Sequence, residues 1–307
     1  MLQLWLSQQN RMLRFELGAR DLAFFVGAYC ATAIGVQSFA LDALSVTLGW
    51  ISAIAARASH AALNDAIQAE RDRPDPTSGQ RPVAGNPVSA RAAIFWWALL
   101  SCIAIASACE VTPLFAAVAL PAWFIGSAHA ASPVKAHDIE ALRVVVPTLR
   151  YPLHLALGWC AIGSMQVPPL LLLLGAWMLG AFVRSSGQLG QVRSAHLRGA
   201  RVDERSRIAT GILCSIGYGL GGVLSAGIIA TALRVELVLA VPFALGLAGY
   251  YLTLAQRKGS RGIAFSSLRR EPIFLALAAT FLAVVLNSSL SNIPGLHEWI
   301  DIATLAR

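Results

Sequence analysis

Long apolar runs alternate with short polar intervals along most of this chain. Nine runs stand out, at approximately 22–41, 43–63, 92–109, 113–131, 145–163, 166–184, 210–232, 235–254 and 272–291. A helix needs about 20 mostly apolar residues to cross the hydrocarbon core of a bilayer. The pattern therefore predicts an all-α integral membrane protein, a bundle of about nine transmembrane helices forming a single domain over 1–307. Composition agrees, with 56% hydrophobic and 13% charged residues against roughly 25% charged in a soluble domain. The five cysteines (Cys30, Cys102, Cys109, Cys160, Cys214) lie in or at the ends of these runs with no C-x-x-C spacing. They read as small membrane residues rather than a disulfide framework or a metal site.

Lys and Arg are distributed unevenly between the runs, and positive charge in short loops marks the cytoplasmic side. With the N-terminal arm (Arg11, Arg14, Arg20) inside, the intervals 64–91, 132–144, 185–209 and 255–271 are inside too. All of the 24 basic residues except Arg234 and Arg307 then fall on or near that face. A frame shifted by one helix would scramble this asymmetry, so it supports nine spans as well as the orientation. The expected location is a bacterial inner membrane with the N-terminus cytoplasmic. The net charge of +8 thus describes one face of the molecule. Topology, with anionic membrane lipids or an anionic substrate, explains it better than nucleic acid does.

No cleavable signal peptide is expected, because the first apolar run is too long and follows an amphipathic arm, Leu2 to Leu17, carrying Trp5 and Phe15. That arm, within 1–21, is expected along the interface. The tail 292–307 holds Trp299 and is expected on the far surface. Gly217, Gly219, Gly221 and Gly222 suit close helix packing. They do not form a phosphate loop, since no strand precedes them and no lysine follows.

Charge is concentrated between Arg57 and Gly85, where Asp65, Glu70, Asp72 and Asp75 crowd among Arg57, Arg71, Arg73 and Arg81. In helical register Arg57, Ala61, Asn64, Gln68 and Asp72 share one face, with Asp65 at its border. A polar stripe thus runs from inside the second span onto the following interval. An arginine seven residues inside a span is costly and faces a cavity or a partner unless it snorkels to the interface. The helix should stop at Arg73-Pro74, because the residue before proline is pushed out of helical geometry. Ser89 has the place of an N-cap for the third span.

The segment Asn64-Asp65-x-x-Gln68-x-x-x-Asp72, followed by Arg81-Pro82-x-x-Gly85, resembles the first aspartate-rich motif of the UbiA superfamily of intramembrane prenyltransferases. Arg57 matches that family's arginine seven positions before the asparagine. Gln68 stands where the family has its middle aspartate. The resemblance implies a nine-helix, UbiA-like bundle with 64–91 and 185–209 as cytoplasmic active-site loops, two acidic motifs holding Mg²⁺, and an isoprenoid diphosphate donor. Lys135 fits a diphosphate contact of such a protein, although the family's tyrosine before it is absent. The second acidic motif is lost. Gln188, Gln191 and Ala195 occupy its aspartate positions, and no Asp or Glu occurs between Glu140 and Asp203.

Half of the implied apparatus therefore remains. Asn64, Asp65, Gln68 and Asp72 form the expected magnesium site, with Glu70 in reserve and Arg81 beside it. Magnesium favours sites built from one or two carboxylates plus phosphate oxygens. Around Gln188 and Gln191 the charge is positive, from Arg184, Arg193 and Arg198. Those guanidinium groups either replace a second metal at the diphosphate, being permanently charged and bidentate, or simply mark the cytoplasmic side. The leading expectation is transfer of an isoprenoid group to a small, aromatic acceptor, with Arg57 suiting an acidic or phenolic one. A membrane terpene cyclase and a non-catalytic isoprenoid-binding relative are the alternatives.

Overall fold

The computed structural model describes residues 19–35, 43–72, 89–131, 147–162, 167–196, 204–233, 235–258, 268 and 271–290. Among these, nine α-helices follow one another: α1 Ala19–Gly35, α2 Ala43–Asp72, α3 Ala90–Val111, α4 Pro113–Ala131, α5 Arg150–Ala161, α6 Leu170–His196, α7 Glu204–Leu233, α8 Val241–Lys258 and α9 Pro272–Leu290. A 3₁₀ helix, Val235–Ala240, leads into α8. Each of the nine apolar runs finds its helix. Five segments are long and apolar enough to cross a membrane, namely Ala90–Val111, Pro113–Ala131, Leu170–Leu189, Gly211–Ile229 and Glu236–Gln256. The chain is an integral membrane protein.

Two compact units are present, Met1–Glu140 with Leu153–Pro168, and Ala141–Pro152 with Pro169–Arg307. The first holds α1 to α4 and most of α5. Ala55, Ala58, Ala93, Leu100 and Ala104 form a buried cluster there, with Trp96 against it. Small residues let helices approach until backbone groups come within reach, and the Ser52 hydroxyl of α2 donates to the Ala104 carbonyl of α3 at 2.8 Å. His60 Nε2 lies 2.9 Å from the Trp123 carbonyl of α4. A carbonyl only accepts, so Nε2 carries the proton. The bare Gly126 makes room for that ring. Trp123 in turn donates to Ser101 Oγ at 3.2 Å. Ser89 caps α3 as expected, accepting from the Ala92 amide at 3.2 Å. Thr112 caps α4 in the same way, accepting from the Phe115 amide, and its hydroxyl donates to the Cys160 carbonyl of α5 at 3.1 Å.

Helices α1 and α5 touch backbone to backbone. A Cβ at Gly27 would run into the Leu155 carbonyl, and one at Gly158 into the Phe24 carbonyl. Backbone cannot swing aside as a side-chain tip can. Gly158→Ala is therefore expected to cost roughly 1–3 kcal/mol, the range for overpacking, and to lower the thermal midpoint in detergent; an unchanged midpoint would mean the helices are not in this contact.

In the second unit α6 packs along α7. Met178, Leu179 and Phe182 fill the spaces left by Gly221, Gly222 and Gly219, as the glycine pattern predicts. Gly217 is the exception, since nothing lies within 4 Å of where its Cβ would be. Ser215 donates to Ser185 Oγ at 2.9 Å, and Ser185 donates back to the Phe182 carbonyl at 3.1 Å. Phe182 also meets Tyr251 of α8, ring centroids 5.7 Å apart.

One expectation needs correction. The interval 185–209 is not a loop over its length: α6 runs on to His196 and α7 starts at Glu204. Ser185 satisfies its hydroxyl inside the helix and against α7, so a stretch that looks loop-like in composition stays helical. Residues 64–72 continue α2, in keeping with the helical register that runs through Asp72. Asp21 lies within α1 and is buried, because it meets an arginine of α2.

Candidate active site

Helix α2 positions the polar stripe. Trp50, Arg57 and Asn64 recur at seven-residue steps on one of its faces, and at 1.5 Å per residue Asn64 lies about 10 Å beyond Arg57 along the axis. Asp65 is buried, with 3% of its surface accessible, and Asn64 beside it is half-buried. A carboxylate so buried is expensive, and such groups are candidates for ion or substrate contact.

Arg57 engages Asp21 of α1, Nη1 to Oδ2 at 3.0 Å. The other carboxylate oxygen of Asp21 accepts from Trp50 Nε1 at 3.4 Å. Asp21 retains 4% of its accessible surface. Arg57 of α2 thus has a partner. Sequence reasoning assigned no role to Asp21, yet a signal was there: a lone carboxylate at the start of the first apolar run, where acidic groups pair with cations.

Gln68 and Asp72 occupy positions of α2 at the spacing the motif requires, and their side chains lie outside the described residues. Arg81, Lys135 and Arg198 lie outside them altogether. On α6, Arg184 is exposed and Gln188 half-buried, while Gln191 and Arg193 are positions of the same helix. Among the described residues no three His, Cys, Asp or Glu side chains gather as a metal cluster. Asn64 and Asp65 supply an amide oxygen and a carboxylate, the hard oxygen donors that magnesium accepts, with room in its preference for phosphate oxygens and water. The donor set fits Mg²⁺ in kind.

No family model and no curated protein matches this sequence. Solved structures do. A UbiA homologue from Archaeoglobus fulgidus bound to DMAPP and Mg²⁺ superposes with a TM-score of 0.61 at 17% identity, over 90% of this chain and 97% of its own. The same homologue bound to GPP and Mg²⁺ gives 0.60 at 16% identity, with 90% and 97% covered. The chain has the UbiA fold. A digeranylgeranylglyceryl phosphate synthase agrees, with a TM-score of 0.59 at 12% identity, over 92% of this chain and 94% of that one.

Proposed function

We propose that this chain is a membrane-embedded prenyltransferase. It moves an isoprenoid group from a prenyl diphosphate to a small aromatic acceptor, with the diphosphate held through Mg²⁺ at the cytoplasmic end of α2. The observation that carries this reading is Asp65, a buried carboxylate adjoining Asn64 on α2, in a chain with the fold of UbiA homologues that bind GPP or DMAPP together with Mg²⁺.

Asn64 and Asp65, with Gln68 and Asp72 further along α2, would hold the ion. Bound magnesium supplies Lewis-acid stabilisation of the departing diphosphate. Arg81 and Lys135 contribute charge to the same anion. As the allylic C–O bond breaks, its electron pair leaves with the diphosphate, and an acceptor carbon attacks the allylic cation and then loses its proton. Apolar helices exclude water, so the cation meets the acceptor before it meets a water molecule.

The test uses the full chain in detergent with labelled prenyl diphosphates of graded length, with and without Mg²⁺ and with and without phenolic acceptors. Acceptor-dependent diphosphate release that stops on chelation with EDTA is expected. Acceptor-independent release with a hydrocarbon product would replace transfer by cyclisation. Silence throughout would leave only isoprenoid binding.

A further inference from the structure

The family resemblance implies a second Mg²⁺ site on the stretch that α6 carries, and the residues present there do not fit one. From Leu170 to His196 this helix has neither aspartate nor glutamate. The carboxylates of the second unit that fall in or beside its described elements stand elsewhere: Glu204 opens α7, Glu236 lies in the 3₁₀ helix and Glu271 immediately precedes α9.

Phe182, Ser185 and Leu189 of α6 are taken up against Gly219, Ser215 and Gly211 of α7. About 100° round the helix from that side stand Arg184 and Gln188, four residues apart and therefore on one face. Arg184 is exposed and Gln188 half-buried. The guanidinium makes no ion pair among the described residues.

We infer, resting on the prenyltransferase reading, that α6 holds no metal: this chain binds its diphosphate with a single Mg²⁺, and Arg184 and Gln188 meet phosphate oxygens directly. Magnesium gives up its water reluctantly and is drawn from it by carboxylates, whereas a side-chain amide offers one neutral oxygen. A permanent positive charge one turn away repels a dication. The same charge attracts an anion, and its planar fork matches two phosphate oxygens at once. Gln188 can donate through its NH₂ group, so it serves an anion without a metal between them.

The test counts ions on the full chain in detergent. Mn²⁺ replaces Mg²⁺ as a probe that equilibrium dialysis and spin resonance can quantify, and the unreactive S-thiolodiphosphate analogue of DMAPP is present at saturation. One Mn²⁺ per chain is expected. Arg184→Gln should bind the analogue at least tenfold more weakly and still carry one Mn²⁺ once saturated. Two ions on the unaltered chain, or an Arg184→Gln protein with unaltered affinity for the analogue, would overturn the inference and leave the prenyltransferase reading standing. An analogue that fails to bind, or binds with no ion, would bring down that reading and this inference together.

Discussion

Asp65→Asn is expected to lower diphosphate release roughly a thousandfold and to leave the residue of activity indifferent to magnesium. Lewis-acid assistance to a departing phosphate group is worth several kcal/mol, and each 1.36 kcal/mol in the barrier is tenfold in rate. The amide keeps the size of the carboxylate, so the α2 packing around this buried position is undisturbed and the loss reports on charge. Asp72→Asn should behave in the same direction, since the motif spacing places it on the same stripe. The measurement is initial rate against Mg²⁺ concentration for each variant. An Asp65→Asn protein with the rate and magnesium curve of the unaltered chain would remove Asp65 from the site.

Arg57→Met is expected to destabilise the fold by about 3–5 kcal/mol, the cost of breaking a buried pair by deleting one partner. The substitution leaves the Asp21 carboxylate buried, 4% exposed, without its guanidinium. Asp21→Asn/Arg57→Met, which removes both charges, should recover most of the loss, because two neutral groups carry no comparable desolvation penalty. Unfolding midpoints in detergent for the single and double variants form the double-mutant cycle that isolates the pair. A single variant as stable as the parent, or a double variant no better than the single, would show that the pair contributes nothing.

Much of the architecture was legible because membrane helices are specified locally. The thickness of the hydrocarbon fixes the length of each apolar run, and each of the nine runs has its helix. The N-cap at Ser89 was equally legible, since a serine before an apolar run offers its hydroxyl to an amide only three residues away. The stretch after Arg184 misled for the opposite reason. Its serines and glycines resemble a loop in composition, and only contact with α7, where Ser215 meets Ser185, shows how a helix can satisfy them.

The motif that points to chemistry, Asn64-Asp65 with Gln68 and Asp72, was readable as a stripe because helical periodicity alone puts those positions on one side. The partner of Arg57 was not. Asp21 lies 36 residues away on another helix, and no local rule links two residues so far apart. Likewise, Gly27 and Gly158 become contact points only once α1 and α5 meet.

By itself, then, the sequence determined that each apolar run holds a helix among the described residues and which face of α2 is polar, because these depend on local hydrophobicity and on the 3.6-residue turn. Only the tertiary structure decided that Arg57 is neutralised by Asp21 and that Asp65 is shielded. Pairing and burial depend on which helices approach one another and how closely, and that distance is written in no single segment of the chain.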